Sequence, residues 1–146
     1  MNSLRVKKNN IYRIEVNDNG DCIEFDVEDI SLGAKCFRAL DDISKLEKEY
    51  KEKIKDIKDG KEIAFMEENL FKNMREVMDG FLGENACQKI FGDRNYYNMY
   101  NDLFEELSKP RKELKGKSHL DMLKLSSKDV YNKVQNKYKK NKKKVI

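Results

Sequence analysis

The sequence contains no tryptophan, one proline and only seven glycines among its 146 residues. A sandwich or barrel of many short strands needs turn residues at every corner, so this shortage argues against both folds. Apolar residues make up 38% of the chain and charged residues 40%, whereas an ordinary globular domain is about 25% charged. We therefore expect one domain with a small core, built mainly from helices whose outer faces are solvated.

Long apolar segments are also missing. The N-terminal sequence MNSLRVKKNN lacks the apolar stretch of a secretory signal, and no segment approaches the roughly 18 apolar residues that identify a membrane-spanning helix. From these absences we expect a soluble, cytoplasmic protein that has no membrane partner.

Cysteine and histidine are too few and too scattered for the common disulfide and zinc sites. Cys22, Cys36 and Cys87 lie in separate segments without CxxC spacing, and the only histidine is His119. We predict reduced cysteines that pack as small apolar residues, with no metal and no cofactor. A catalytic pair of Cys87 and His119 is disfavoured, because His119 lies in a poorly packed segment and a general base must stay within hydrogen-bonding reach of its partner.

Charge divides the chain into two parts. Residues 1–108 contain 17 Lys and Arg against 24 Asp and Glu, while residues 109–146 contain 14 against 3. Pro110 marks the change, and the residue before a proline is biased away from helix. We predict a folded body over residues 1–109 and a basic tail over residues 110–146 that is partly helical or disordered, since dense like charge keeps a chain extended.

Two alternating segments near the N-terminus predict a β-hairpin. Residues 11–16 (IYRIEV) and 22–27 (CIEFDV) each place apolar residues at every second position. Between them, Asn19 and Gly20 suit the two central positions of a type I′ turn, which need positive φ. A lone hairpin is marginally stable in water, so we expect its apolar face to pack on the helical body.

Three helices are predicted from apolar residues that recur at steps of three and four, over residues 29–59, 61–82 and 95–107. Gly60 is expected to end the first helix, and a short connection through Asp59 and Gly60 is expected to fold the first two helices into an antiparallel pair. The second half of the first helix has a narrow apolar seam among Lys and Glu residues, formed by Leu46, Tyr50, Ile54 and Ile57. Such a seam is typical of a protruding helical hairpin. The predicted fold class is thus mainly α, with a small N-terminal hairpin packed on a three-helix body.

The segment from residue 80 to residue 92, GFLGENACQKIFG, offers a choice between a reactive-thiol site and a structural connector. No acid or cation that would activate Cys87 stands beside it, and neither GxGxxG nor GK[ST] spacing supports a phosphate site. We interpret the segment as a connector in which a short helical turn carries Cys87 and Phe91 into the core. The glycines that shape this connector and end its helices are Gly80, Gly83 and Gly92.

Two other patterns are assigned to ordinary surface structure. Adjacent carboxylates such as Glu67 and Glu68 occur on lysine-rich helices without histidine at ligand spacing, so we predict that they lie on solvated faces. The NDNGD sequence at residues 17–21 is too short for a calcium loop and has no distal glutamate. No catalytic residue is therefore predicted.

The basic tail suggests one possible partner, because clustered lysines bind phosphate backbones through counterion release. Tyr131 and Tyr138 could add weak stacking on bases. The lysines that would carry such weak, non-specific contact with nucleic acid are Lys137, Lys139, Lys140, Lys142, Lys143 and Lys144. A small accessory protein that binds nucleic acid through this tail is the alternative function.

The order of a hairpin, a helical body, the run MREVMDGFLGENACQKIFGDRN and a charged tail resembles the tail assembly chaperones of long-tailed phages and prophages of Gram-positive bacteria, over about residues 10–108. The resemblance implies a non-enzymatic protein of the bacterial cytoplasm that binds the helical tape measure protein and helps to recruit tail tube protein. A homo-oligomer is compatible with it. Flexible methionines suit an adaptable client surface, although they also fill ordinary cores. The candidates for client binding are Met66, Met74, Met78 and Met99.

Overall fold

The computed structural model describes residues 2–8 and 10–109, and over these ranges a two-stranded hairpin precedes four helices. The elements are β1 (Ile11–Glu15), β2 (Cys22–Asp26), α1 (Leu32–Ile54), α2 (Gly60–Leu82), α3 (Ala86–Phe91) and α4 (Met99–Leu107). The mainly helical fold with an N-terminal hairpin is confirmed. The basic tail lies outside the described residues. None of the described helices is both long enough and apolar enough to cross a bilayer.

The chain divides into two compact units. The first combines the base of the hairpin, the segment that leads into α1, and α4. The second combines the hairpin tip, nearly all of α1, α2, α3 and the segment up to Tyr97.

In the first unit, the buried side chains come from β2, from α4, and from Val27 and Leu32 between them in the chain. Phe25 lies on one face of β2, and α4 buries residues at steps of three and four, as an amphipathic helix does. Phe25, Met99 and Phe104 are almost completely inaccessible to solvent. At the exposed edge of the hairpin, Arg13 Nε lies 2.7 Å from Glu24 Oε1, a pair that contributes little because both groups are solvated.

The hairpin turn differs from the predicted type I′ turn. Gly20 has a φ of 83°, but Asn19 does not have the positive φ that a type I′ turn requires at both central positions. The loop is longer, because the Asn17 Oδ1 accepts hydrogen bonds from the backbone N–H groups of Asn19 at 2.9 Å and Asp21 at 3.3 Å. This side-chain acceptor stabilises the loop between β1 and β2, in which Gly20 alone takes the left-handed conformation.

The connection between α1 and α2 also differs from the prediction. α1 ends at Ile54 and not at residue 59, and Gly60 begins α2 instead of ending α1. The reason is Asp59, whose side chain accepts a hydrogen bond from Lys61 N at 3.0 Å and caps the N-terminus of α2. Aspartate is among the most favourable N-cap residues, so the preference of Asp59 for that position outweighs the preference of Gly60 for a helix C-terminus.

Two grooves show that α1 and α2 run antiparallel. The start of α1 lines one groove with the end of α2, and the C-terminal third of α1 lines the other with the first part of α2. Ile43 on α1 and Leu70 on α2 are the last buried residues of this second unit in the direction of the connection between the two helices. Between these two positions the apolar side chains that face the seam are only half-buried: Leu46, Tyr50, Ile54, Ile57, Ile63 and Met66. We call residues 44–69 the outer hairpin. Its apolar seam is incompletely covered.

Candidate functional site

Two glycines of the connector, Gly83 and Gly92, end helices. Gly83 has a φ of 120° and donates its N–H to Asp79 O at 2.8 Å at the end of α2, while Gly92 has a φ of 64° and donates to Gln88 O at 2.9 Å at the end of α3. Both conformations are ones that L side chains rarely adopt. Gly80 does not have the predicted role, because it lies inside α2, two residues before the helix ends.

Cys87 is sealed in the second unit. Its side chain is 1% exposed, and its sulfur lies 3.8 Å from the carbonyl oxygen of Arg75. Its backbone N–H donates to Asp79 Oδ1 at 2.8 Å, so the carboxylate satisfies a free donor in the first turn of α3. A thiol in this position packs as an apolar group, and a substrate could reach it only if α3 moved away from α2. His119, the other half of the disfavoured catalytic pair, lies outside the described residues.

Phe91 and the residues after α3 are fixed against neighbouring structure. The ring of Phe91 is half-buried and meets Tyr96 edge to face, with centroids 6.2 Å apart. The guanidinium of Arg75 donates to Asn95 Oδ1 at 2.7 Å and to Arg94 O at 2.8 Å. These bonds hold the segment after α3 on α2, which places Tyr96 and Tyr97 beside that helix.

A hydrogen bond also joins the tip of the β-hairpin to α3. The side-chain amide of Asn17 donates to Asp21 Oδ2 at 2.8 Å and to the carbonyl oxygen of Lys89 at 3.0 Å. The residue that shapes the hairpin loop therefore also fixes the loop on the connector.

Glu67 lies at the centre of a hydrogen-bonded cluster, although its position on a lysine-rich helix predicts a solvated face. Its Oε2 accepts a short hydrogen bond from the hydroxyl of Tyr97 and a second from Tyr50, at 3.4 Å. Phe71 packs edge to face on Tyr97, with centroids 5.2 Å apart. The prediction of a solvated face is therefore wrong for the half-buried Glu67, while the neighbouring Glu68 is exposed as predicted.

The cluster changes the titration of both tyrosines. Partial removal from water, the hydrogen bond to Glu67 and the charge of Glu67 raise the pKa of Tyr97 well above its usual range. Burial and the same charge raise the pKa of Tyr50. Because folding favours the neutral phenols, their contribution to stability is complete below pH about 10 and is lost as the pH rises through the folded-state pKa.

We therefore expect an ultraviolet titration of tyrosinate to show ionisation of Tyr97 only well above pH 10, identified by its disappearance in Tyr97→Phe. Glu67→Gln removes the charge and is expected to lower the pKa of Tyr97. The matched control Glu68→Gln, one residue further along the helix, should leave that pKa nearly unchanged. Equal effects of the two substitutions would contradict the cluster.

The predicted client-binding methionines lie in two different environments. Met74, Met78 and Met99 are buried core residues, so in this conformation none of the three offers a surface to a partner. Met66 is half-buried on the outer hairpin. It is the member of the set that a partner can contact without rearrangement of the core.

Met66 lines a groove of about 220 Å³ between α1 and α2. The apolar part of the groove consists of Leu46, Tyr50, Met66 and Leu70. Its polar lining carries both charges and two amides, from Glu49, Lys53, Asn69 and Asn73. An apolar floor with a mixed polar rim fits the apolar face of an amphipathic helix.

In the described ranges, no group of three or more His, Cys, Asp or Glu side chains is placed to hold a metal ion. A comparison with known proteins found no matching family model, no matching curated protein and no matching solved structure. Function is therefore inferred from the sequence resemblance and from the geometry of this chain.

Proposed function

We propose that the protein is a non-catalytic phage tail assembly chaperone that holds an amphipathic helix of the tape measure protein in the groove of the outer hairpin and helps to recruit tail tube protein. The single observation that carries the proposal is the incomplete cover of this groove. Buried core residues stop at Ile43 and Leu70, yet apolar side chains continue along both helices beyond them.

The groove has the chemistry that a helical client needs. Leu46 and Met66 present flexible apolar side chains, and methionine adapts to irregular partners because it is unbranched and polarizable. Glu49 and Lys53 lie one helical turn apart at the edge and can pair with charges of either sign beside the apolar face of the client. A client helix would complete the seam that α1 and α2 leave half-exposed.

The position of Cys87 supports the non-catalytic part of the proposal. A nucleophilic thiol needs access to its substrate and an adjacent base or cation. Cys87 is instead enclosed between α2 and α3.

The proposal is tested by co-expression with a tape measure protein from the genome that encodes this chain. We expect the client to stay soluble and to elute with the chaperone, and we expect the complex to persist at high salt because apolar contacts are not screened. Failure of the client to dissolve or to co-elute would refute the proposal. The alternative, nucleic acid binding by the basic tail, predicts instead a nucleic acid complex that weakens steeply as salt rises.

A further inference from the structure

A second cavity, of about 330 Å³, lies against α2 and the segment after α3. It combines two carboxylates, an amide and three aromatic rings, from Glu67, Glu68, Asn95, Phe71, Tyr96 and Tyr97. None of these residues lines the apolar groove. We call this cavity the acidic–aromatic pocket.

The carboxylates of the pocket have no cationic partner within the described part of the chain. Glu68 is exposed and forms no ion pair there. Glu67 receives both tyrosine hydroxyls on Oε2, which leaves Oε1 without a donor among the same residues. Two negative groups at one cavity attract a cation, and an entering ammonium or guanidinium group would find acceptor oxygens on both.

The aromatic walls favour an organic cation over a simple metal ion. Tyr97 is 65% exposed, its ring packs edge to face on Phe71, and its hydroxyl donates a hydrogen bond to Glu67. Cations bind over tyrosine faces, and Tyr96 already carries such a contact, because the guanidinium carbon of Arg94 lies 4.6 Å from its ring centroid. The rings can also pack on the methylene stem of a lysine or arginine side chain.

We infer that the acidic–aromatic pocket binds a lysine or arginine side chain that a partner polypeptide presents. The carboxylates of Glu67 and Glu68 hold the charged group, and Tyr97 covers the stem and the cation. This inference does not rest on the proposed function, since it uses a different cavity and a different chemistry from the apolar groove.

The test uses the full chain and single-cation probes, namely Nα-acetyl-lysine amide and Nα-acetyl-arginine amide, with Nα-acetyl-norleucine amide as the uncharged control. NMR titration at constant ionic strength is expected to give saturable shifts of Glu68, Asn95 and Tyr97 with a dissociation constant on the order of millimolar for the cationic probes. The norleucine probe should give none. Shifts that do not saturate, or that the norleucine probe reproduces, would overturn the inference.

Substitutions then distinguish binding in the pocket from non-specific electrostatic attraction to the carboxylates of α2. Glu68→Gln is expected to weaken binding about fivefold, because one exposed carboxylate is lost. Glu62→Gln removes the same charge from the exposed start of α2 and should have little effect. Tyr97→Leu should weaken binding by a similar factor. Tyr97→Phe loses the hydrogen bond to Glu67 but keeps the ring and its contact with Phe71, so it should bind more tightly than Tyr97→Leu. An equal loss in Glu62→Gln, or no difference between the two Tyr97 variants, would refute a specific pocket.

Discussion

Replacement of Met78 by alanine is expected to lower the free energy of unfolding by about 2–5 kcal/mol. Met78 has no solvent exposure and lies among other buried residues of α2. Truncation removes its buried methylene and thioether atoms and leaves a cavity that the close-packed core fills only in part. Urea unfolding monitored by circular dichroism at the helical wavelengths measures the change.

Met66→Ala is the matched control on the same helix. Because Met66 is half-buried beside an open groove, its loss should cost less than about 1 kcal/mol, as solvent and neighbouring side chains take its place. Equal costs for the two substitutions would mean that the outer hairpin is packed as tightly as the core. That result would remove the distinction between the core methionines and Met66 in the groove.

Replacement of Asp79 by alanine is expected to lower the free energy of unfolding by about 1.5–3 kcal/mol, the range for hydrogen bonds to charged groups. Its carboxylate accepts the N–H of Cys87 across the turn between α2 and α3. Without that acceptor, the six-residue α3 loses the bond that fixes its first turn on α2. Because Cys87 lies beneath this contact, its thiol should also become more reactive.

Two measurements test the predicted effects of the Asp79 substitution. Urea unfolding gives the change in stability, and labelling with a thiol reagent followed by peptide mass spectrometry gives the exposure of Cys87 separately from the other cysteines. Asp79→Asn keeps an acceptor oxygen without the charge, so it should lose less stability than Asp79→Ala. If labelling of Cys87 and stability are both unchanged in Asp79→Ala, the carboxylate does not hold α3 in place.

Local patterns in the sequence predict most of the secondary structure. Alternation over the two strands gives the hairpin, and the three-to-four spacing gives α1, α2 and α4. The errors lie where two local preferences compete. Gly60 suits the position just after a helix C-terminus. Asp59, however, caps the N-terminus of α2, so Gly60 is the first residue of that helix. At the hairpin, the Asn17 side chain stabilised a loop that the Asn19-Gly20 pair alone does not predict.

The candidate sites are less predictable because they join residues that are distant in sequence. Glu67 and Tyr97 are 30 positions apart, and Arg75 and Asn95 are 20 apart. No periodicity encodes such pairs, since they depend on how the segment after α3 returns to α2. One local signal is present in the sequence. Asp79 lies near the C-terminus of α2, where a negative charge is unfavourable to the helix dipole, so a specific partner for its carboxylate is expected.

We propose that the groove of the outer hairpin holds the client, and a pair of adjacent substitutions can distinguish the groove from the surface beside it. Met66→Glu places a charge in the groove, while Phe65→Glu places the same charge at the neighbouring position, which is 61% exposed and does not line the groove. Each variant is co-expressed with the tape measure protein, and the amount of co-eluting client is measured. We predict that Met66→Glu loses the client and Phe65→Glu retains it. Equal retention of the client by the two folded variants would refute the groove as the client-binding site.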